Sequence, residues 1–140
     1  MDNCTEAELI KVYIAARFSK RHEANALAQY LKGLGYVIVS RWVLPDSDHV
    51  VPVGMSEQAA DDERRRFAME DLEDVDSCDW LISLMEQPRS NSRGGRHIEF
   101  GIGLGKEKAL TIIGYRETVF HHLDCVEHFE TVDDFKDTYK

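Results

Sequence analysis

Residues 90–106 read SNSRGGRHIEFGIGLGK, and how this stretch is divided decides the fold. Gly101, Gly103 and Gly105, followed by Lys106, invite two phosphate-binding patterns and satisfy neither. A P-loop needs Ser or Thr after the lysine of GxxxxGK, where this chain has Glu107. The dinucleotide pattern GxGxxG needs a strand directly before it and a helix directly after it. Here the strand-like run ALTIIG begins at Ala109, just behind the glycines. A glycine inside a helix costs about 1 kcal/mol relative to alanine and is tolerated where the helix must lie close to a neighbour. GIGLGK therefore reads as the closely packed end of a helix, and SNSRGGR as the loop that leads into it.

Upstream, WLISL (80–84) reads as a buried strand, preceded by a long polar helix, SEQAADDERRRFAMEDLEDVDSCD. Ser56 is its predicted cap, and Phe67, Ala68, Leu72 and Val75 form its apolar stripe. KVYIA (11–15) is a first strand. Ser19 is placed to cap a following helix in which Ala24, Leu27, Tyr30, Leu31 and Leu34 recur at helical spacing, with Gly33 and Gly35 ending it. YVIVSRWV (36–43) reads as a second strand. LPDSDHVVPVG, about eleven residues, is a long loop of the kind that covers sites. Downstream, ALTIIG is a fourth strand, VEHFETV a possible fifth, and a short helix closes the chain from Asp133.

Alternating strands and helices predict an α/β fold spanning 1–140 as one domain. The expected architecture is a doubly wound sheet of four to five mostly parallel strands flanked by helices. Ligands of such sheets bind beyond the carboxyl ends of the strands, here residues 15–18, 43–45, 85–96 and 114–117.

With 140 residues, 43% of them apolar, the chain has enough apolar surface for a real core. A net charge of -9 argues against a protein that coats nucleic acid or an anionic membrane. No apolar run approaches the ~20 residues of a membrane span, and MDNCTEAEL lacks the basic and apolar regions of a signal peptide. A soluble, cytoplasmic protein is expected. Cys4, Cys78 and Cys125 have no CxxC spacing, which disfavours a disulfide framework or a zinc clip. His121, His122, Asp124, Cys125 and His128 match no standard ligand spacing, so no metal and no cofactor is expected.

SNSRGGR combines the free N–H groups of a helix start with Gly94 and Gly95, which permit close approach. Arg89, Arg93 and Arg96 add charge, and Ser90 and Ser92 add donors; an anion site and a solvated basic loop both fit this composition. Glu99 falls in the first turn or so of the helix, where the dipole favours its ionised form. Trp42 and Phe18 lie where strand ends meet the expected cleft and could stack on a base, or belong to the core. Tyr115 and Arg116 follow the fourth strand directly and line either the cleft or a subunit contact.

YIAARF on strand one, EDLEDVDSCDWLISL, and RGGRHIEFGIGLGKEKALTIIG follow one another in an order that resembles the nucleoside 2-deoxyribosyltransferase superfamily. Its nucleoside-monophosphate N-glycosidase branch is the nearer likeness. The resemblance runs from about Lys11 to Phe135. It implies that Glu99, with Gly101 two residues later, attacks C1′ of a sugar and that Tyr13 hydrogen-bonds it. It also implies that Asp71 contacts the base or assists its protonation, with Asp79 opening the third strand eight residues on. The chemistry fits these residue types. A carboxylate beneath C1′ stabilises the cationic sugar or bonds to it, and an acid across the sugar supplies the leaving base with a proton.

Members that exchange bases between nucleosides usually carry an acidic or neutral loop where this chain has SNSRGGR, and Arg17 and Ser19 add donors from the strand-one loop. These groups suit a 5′-phosphate. Transferases of the family also place an asparagine near the C-terminus, and this chain has none after Asn91. Both departures favour hydrolysis of a (deoxy)nucleoside 5′-monophosphate. Base exchange by a deoxyribosyltransferase, and a non-catalytic nucleotide-sensing module on the same scaffold, are the alternatives. The resemblance implies a small nucleotide or nucleoside as partner, no nucleic-acid polymer or membrane, and a homo-oligomer.

Overall fold

The computed structural model describes residues 9–44, 50–86 and 94–140. The chain order is β1 (Lys11–Ala15), α1 (Arg21–Gly33), β2 (Val37–Ile38), α2 (Glu57–Ser77), β3 (Trp80–Leu84), α3 (Gly95–Gly105), β4 (Ala109–Ile113), β5 (Val126–Phe129) and α4 (Val132–Thr138). The strands form one wholly parallel sheet in the order β2-β1-β3-β4-β5. Tyr13 lies opposite Leu81 and Ala15 opposite Ser83 in the β1–β3 register. This strand order is the flavodoxin-like one. The chain leaves β1 toward one edge of the sheet and β3 toward the other, so a crevice opens between their carboxyl ends.

Side chains alternate across the sheet. Val12, Tyr13 and Ile14 on β1 and Leu81 and Ile82 on β3 are fully buried, as strands covered on both faces require. The Tyr13 side reaches α3 and the helix packed beside it, α2. The Trp80 side meets Tyr36, Phe135 and Tyr139, and Tyr30 of α1 donates its hydroxyl to the Tyr139 carbonyl, so α1 and the C-terminal segment share that layer.

Ser56 caps α2, its Oγ accepting the Ala59 N–H at 3.2 Å. Gly35, at φ +101, ends α1 in a Schellman turn: the Tyr36 N–H bonds the Leu31 carbonyl and the Gly35 N–H the Lys32 carbonyl. The same turn ends α3, with Glu107 rather than glycine in the left-handed conformation (φ 59).

Three expectations are corrected. Ser19 does not cap α1. A 3₁₀ turn over Phe18–Lys20 precedes that helix, and the Ser19 Oγ instead accepts from Arg17 Nε at 2.6 Å. The second strand is two residues long rather than eight, because Ser40 folds its hydroxyl back to accept the Ile14 N–H and the chain turns into a 3₁₀ segment, Arg41–Val43. Arg41 is held there by Asp74 of α2, through its backbone N–H and its guanidinium at 3.0 Å each. Of the three glycines late in α3, only Gly103 is closely packed, its Cβ position lying 3.2 Å from Leu110 and 3.4 Å from Leu81; Gly101 and Gly105 face open space.

Candidate active site

Helix α3 runs back from the carboxyl edge of the sheet, with Gly103 resting on Leu81 and Leu110. One turn nearer its start, Glu99 lies over the crevice between β1 and β3. The Tyr13 hydroxyl, rising from β1, donates to Glu99 Oε2 at 2.7 Å. Asp71 of α2 is half-buried and close enough for its charge to act on both groups. The structure thus joins Glu99 and Tyr13, from separate elements, by a hydrogen bond, with Asp71 within electrostatic reach of both.

The electrostatics differ from the helix-dipole expectation. Glu99 is the fifth residue of α3, beyond the first turn where the dipole acts most strongly. Burial pushes its carboxyl up to about 8; the Tyr13 hydrogen bond opposes that rise and the Asp71 charge adds to it. Tyr13 is itself pushed well above the usual phenol value, by burial first and the two carboxylates next. A carboxyl poised near neutrality beside a second carboxylate is a common arrangement where one group attacks and another handles protons.

At the start of α3, Gly94 caps the helix in the left-handed conformation (φ +89), and Gly95 has nothing near its Cβ position. The first N–H groups of a helix have no carbonyl of their own helix to bond, and here the His97 and Ile98 N–H groups turn back to the Gly94 carbonyl at 3.0 and 3.1 Å. Arg17, at the carboxyl end of β1, contributes a guanidinium, and Phe18 is 45% exposed with the Arg21 guanidinium 4.7 Å above its ring. Ser90, Ser92 and Arg93, with Arg89, lie outside the described residues.

Other expected site residues are placed differently. Arg96 does not project into solvent. It shares the inward stripe of α3 with Phe100 and Gly103, its side chain is 1% exposed, and it pairs with Glu86 at 2.9 Å and Glu117 at 3.6 Å. A buried guanidinium needs such partners, because removing its charge from water costs several kcal/mol when uncompensated. Asp79 sits at the opposite, amino edge of the sheet. There its carboxylate accepts the Lys11 N–H at 2.9 Å and its backbone bridges β1 and β4, so it braces strand starts rather than facing the crevice. Trp42 is buried, its Nε1 donating to the Ile14 carbonyl at 2.8 Å, and serves as a wall behind β1 rather than an open stacking face.

Sequence reasoning missed Glu86 and Glu117. The spacing of Arg96, Phe100 and Gly103 at i, i+4 and i+7 was a signal that Arg96 turns inward and therefore needs carboxylates. Tyr115 and Arg116 line a cleft of about 460 Å³ beyond β4 and β5, together with His122, His128 and Glu130. His121 is buried and accepts the Glu117 N–H on Nδ1 at 3.0 Å; burial lowers its pKa to about 4, so it is neutral. Among the described residues, no group of three or more side chains is placed to hold a metal ion, and no helix is long and apolar enough to cross a membrane.

No family model matches the sequence, and no curated protein matches it. Solved structures do match. The 2-deoxyribosyltransferase of the psychrotolerant bacterium Bacillus psychrosaccharolyticus superposes with a TM-score of 0.67 at 19% identity, over 91% of this chain and 90% of that one. The CMP N-glycosidase BcmB of Clostridium botulinum superposes with a TM-score of 0.58 at 17% identity, over 92% and 97%. The all-parallel five-stranded sheet and its helices are therefore the flavodoxin-like fold that these two enzymes share with this chain.

Proposed function

We propose that this protein hydrolyses the N-glycosidic bond of a (deoxy)nucleoside 5′-monophosphate, with Glu99 as nucleophile. The observation that carries the reading is the Tyr13–Glu99 hydrogen bond at 2.7 Å, with the Asp71 charge within reach of both groups, at the carboxyl edge of the sheet where this fold binds ligands. Likeness in fold to a deoxyribosyltransferase and a CMP N-glycosidase supports the class of reaction.

Ionised Glu99 attacks C1′ through one carboxylate oxygen. The C1′–N bond breaks, its electron pair leaves on the base, and Asp71 or a water it holds delivers the proton. Water then attacks C1′ of the glycosyl ester, passes a proton to the Asp71 carboxylate, and releases the sugar phosphate and free Glu99. Tyr13 holds the carboxylate in line and, by donating to it, favours the ionised form. Arg17, the α3 N-terminus with Gly94 and Gly95, and the loop bearing Ser90, Ser92 and Arg93 supply the 5′-phosphate contacts; Phe18 offers a face to the base.

A panel of ribo- and deoxyribonucleoside monophosphates, assayed by chromatography with and without an added acceptor base, tests the reading. The expected products are free base and sugar phosphate, with little turnover of nucleosides lacking the phosphate. Glu99→Gln should lose at least about a thousandfold in kcat/KM. A new nucleoside formed from the acceptor base identifies base exchange instead. Binding without any turnover identifies a sensing module.

A further inference from the structure

Two guanidinium groups converge on a single carboxylate oxygen at the mouth of the crevice. Glu86 Oε1 lies 2.9 Å from Arg96 Nη1 and 3.3 Å from Arg17 Nη1. Arg96 comes from beneath, its side chain 1% exposed, while Arg17 and Glu86 are reachable from solvent at 32% and 20%. Arg96 Nε is buried without a hydrogen-bond partner among the described residues, so this guanidinium has donor capacity that the Glu86 and Glu117 carboxylates leave unused. The start of α3, with Gly94 at φ +89, adds its N–H groups alongside.

We propose that Glu86 is an internal anion occupying the seat that a substrate phosphate takes, and that its carboxylate sets how strongly the site favours phosphorylated substrates. The proposal rests on the phosphate reading of this crevice and goes beyond it. Among the described residues, the Arg17 and Arg96 guanidinium groups are already paired with the Glu86 and Glu117 carboxylates before any ligand arrives. A dianionic phosphate entering beside an unmoved Glu86 would meet a like charge within a few ångströms, which opposes its binding. Binding therefore requires the Glu86 side chain to swing toward water and pass its two guanidinium partners to the phosphate oxygens. Guanidinium groups bind carboxylate and phosphate with the same forked geometry, which makes the exchange chemically matched.

The test measures binding in a Glu99→Gln background, where turnover does not interfere, by titrating inorganic phosphate, a nucleoside monophosphate and the matching nucleoside. Adding Glu86→Gln should tighten phosphate and nucleotide by about tenfold and leave the nucleoside unchanged. Glu86→Asp keeps the charge that Arg96 needs for folding but withdraws it by one methylene, and should shift the same ratio in the same direction by less. An unchanged nucleotide-to-nucleoside ratio in either folded variant, or equal changes for both ligands, overturns the proposal. The two readings fail separately. If the protein with Glu86 intact shows no phosphate preference and Glu86→Gln acquires one, Glu86 is the selector and the monophosphate reading is wrong. If neither shows one, both are wrong.

Discussion

At the amino ends of the strands, the Trp80 ring centroid lies 4.9 Å from that of Tyr139 and 5.4 Å from that of Tyr36, and a chain of hydrogen bonds runs beside it. Its Nε1 donates to Thr111 Oγ1, that hydroxyl donates to Glu127, and Tyr139 donates to the same carboxylate. Asp79 closes this edge on the Lys11 N–H. At the carboxyl ends the chemistry is the reverse. Glu99, Asp71, Glu86, Glu117, Arg17 and Arg96 crowd the crevice, and the Glu99 carboxyl is pushed up to about 8. One edge of the same sheet is built for packing; the other gathers ion pairs around a carboxyl, Glu99, whose charged form burial disfavours.

The contrast breaks most readily at Trp80. Trp80→Ala removes the aromatic centre of the amino edge and should cost ~3–5 kcal/mol in denaturant unfolding, while kcat/KM per folded molecule stays within about twofold. A loss of activity beyond the loss of folded protein would show that the two edges are not separate.

Tyr13→Phe sharpens the comparison from the other side. The Tyr13 hydroxyl holds the Glu99 carboxyl down against burial, so removing it should move the acid limb of the kcat/KM profile to higher pH and lower the rate about ten- to a hundredfold below the limb. An unmoved limb would mean that the 2.7 Å bond does not tune Glu99.

Glu99 also links chemistry to stability. Its folded pKa of about 8 lies above the ordinary 4.5, so the folded state keeps a proton that the unfolded chain gives up. Stability therefore falls as pH rises between those values, and the penalty is complete above the folded pKa. Glu99→Gln removes the ionisation, so its Tm advantage should be small at about pH 5 and largest at about pH 9. A constant Tm difference across that range would contradict the raised pKa.

The smallest effect is expected at Asp79. Asp79→Asn weakens one exposed cap and should cost about 1 kcal/mol or less, with kcat/KM and its pH profile unchanged. A shifted profile would return Asp79 to the site.

The strands at 11–15, 80–84 and 109–113 were legible because buried parallel strands are short apolar runs bounded by polar turns. The Ser56 cap and the Gly35 turn were legible for equally local reasons. YVIVSRWV was misread because tertiary bonds won over β-propensity: Ser40 takes the Ile14 N–H, and Arg41 is drawn to Asp74 across 33 residues. The coming together of Glu99, Tyr13 and Asp71 came from resemblance, since no spacing within one element announces it. Arg96 was misjudged because composition counts a charge without showing where it points. Carboxylates 10 and 21 residues away along the chain, Glu86 and Glu117, decide that it is buried.

The most direct test of Glu99 as nucleophile is mass spectrometry of acid-quenched enzyme taken from turnover at saturating deoxynucleoside monophosphate. The account predicts a deoxyribose-phosphate adduct on the peptide carrying Glu99, absent in Glu99→Gln. An adduct on another residue, or full turnover by Glu99→Gln, would contradict it.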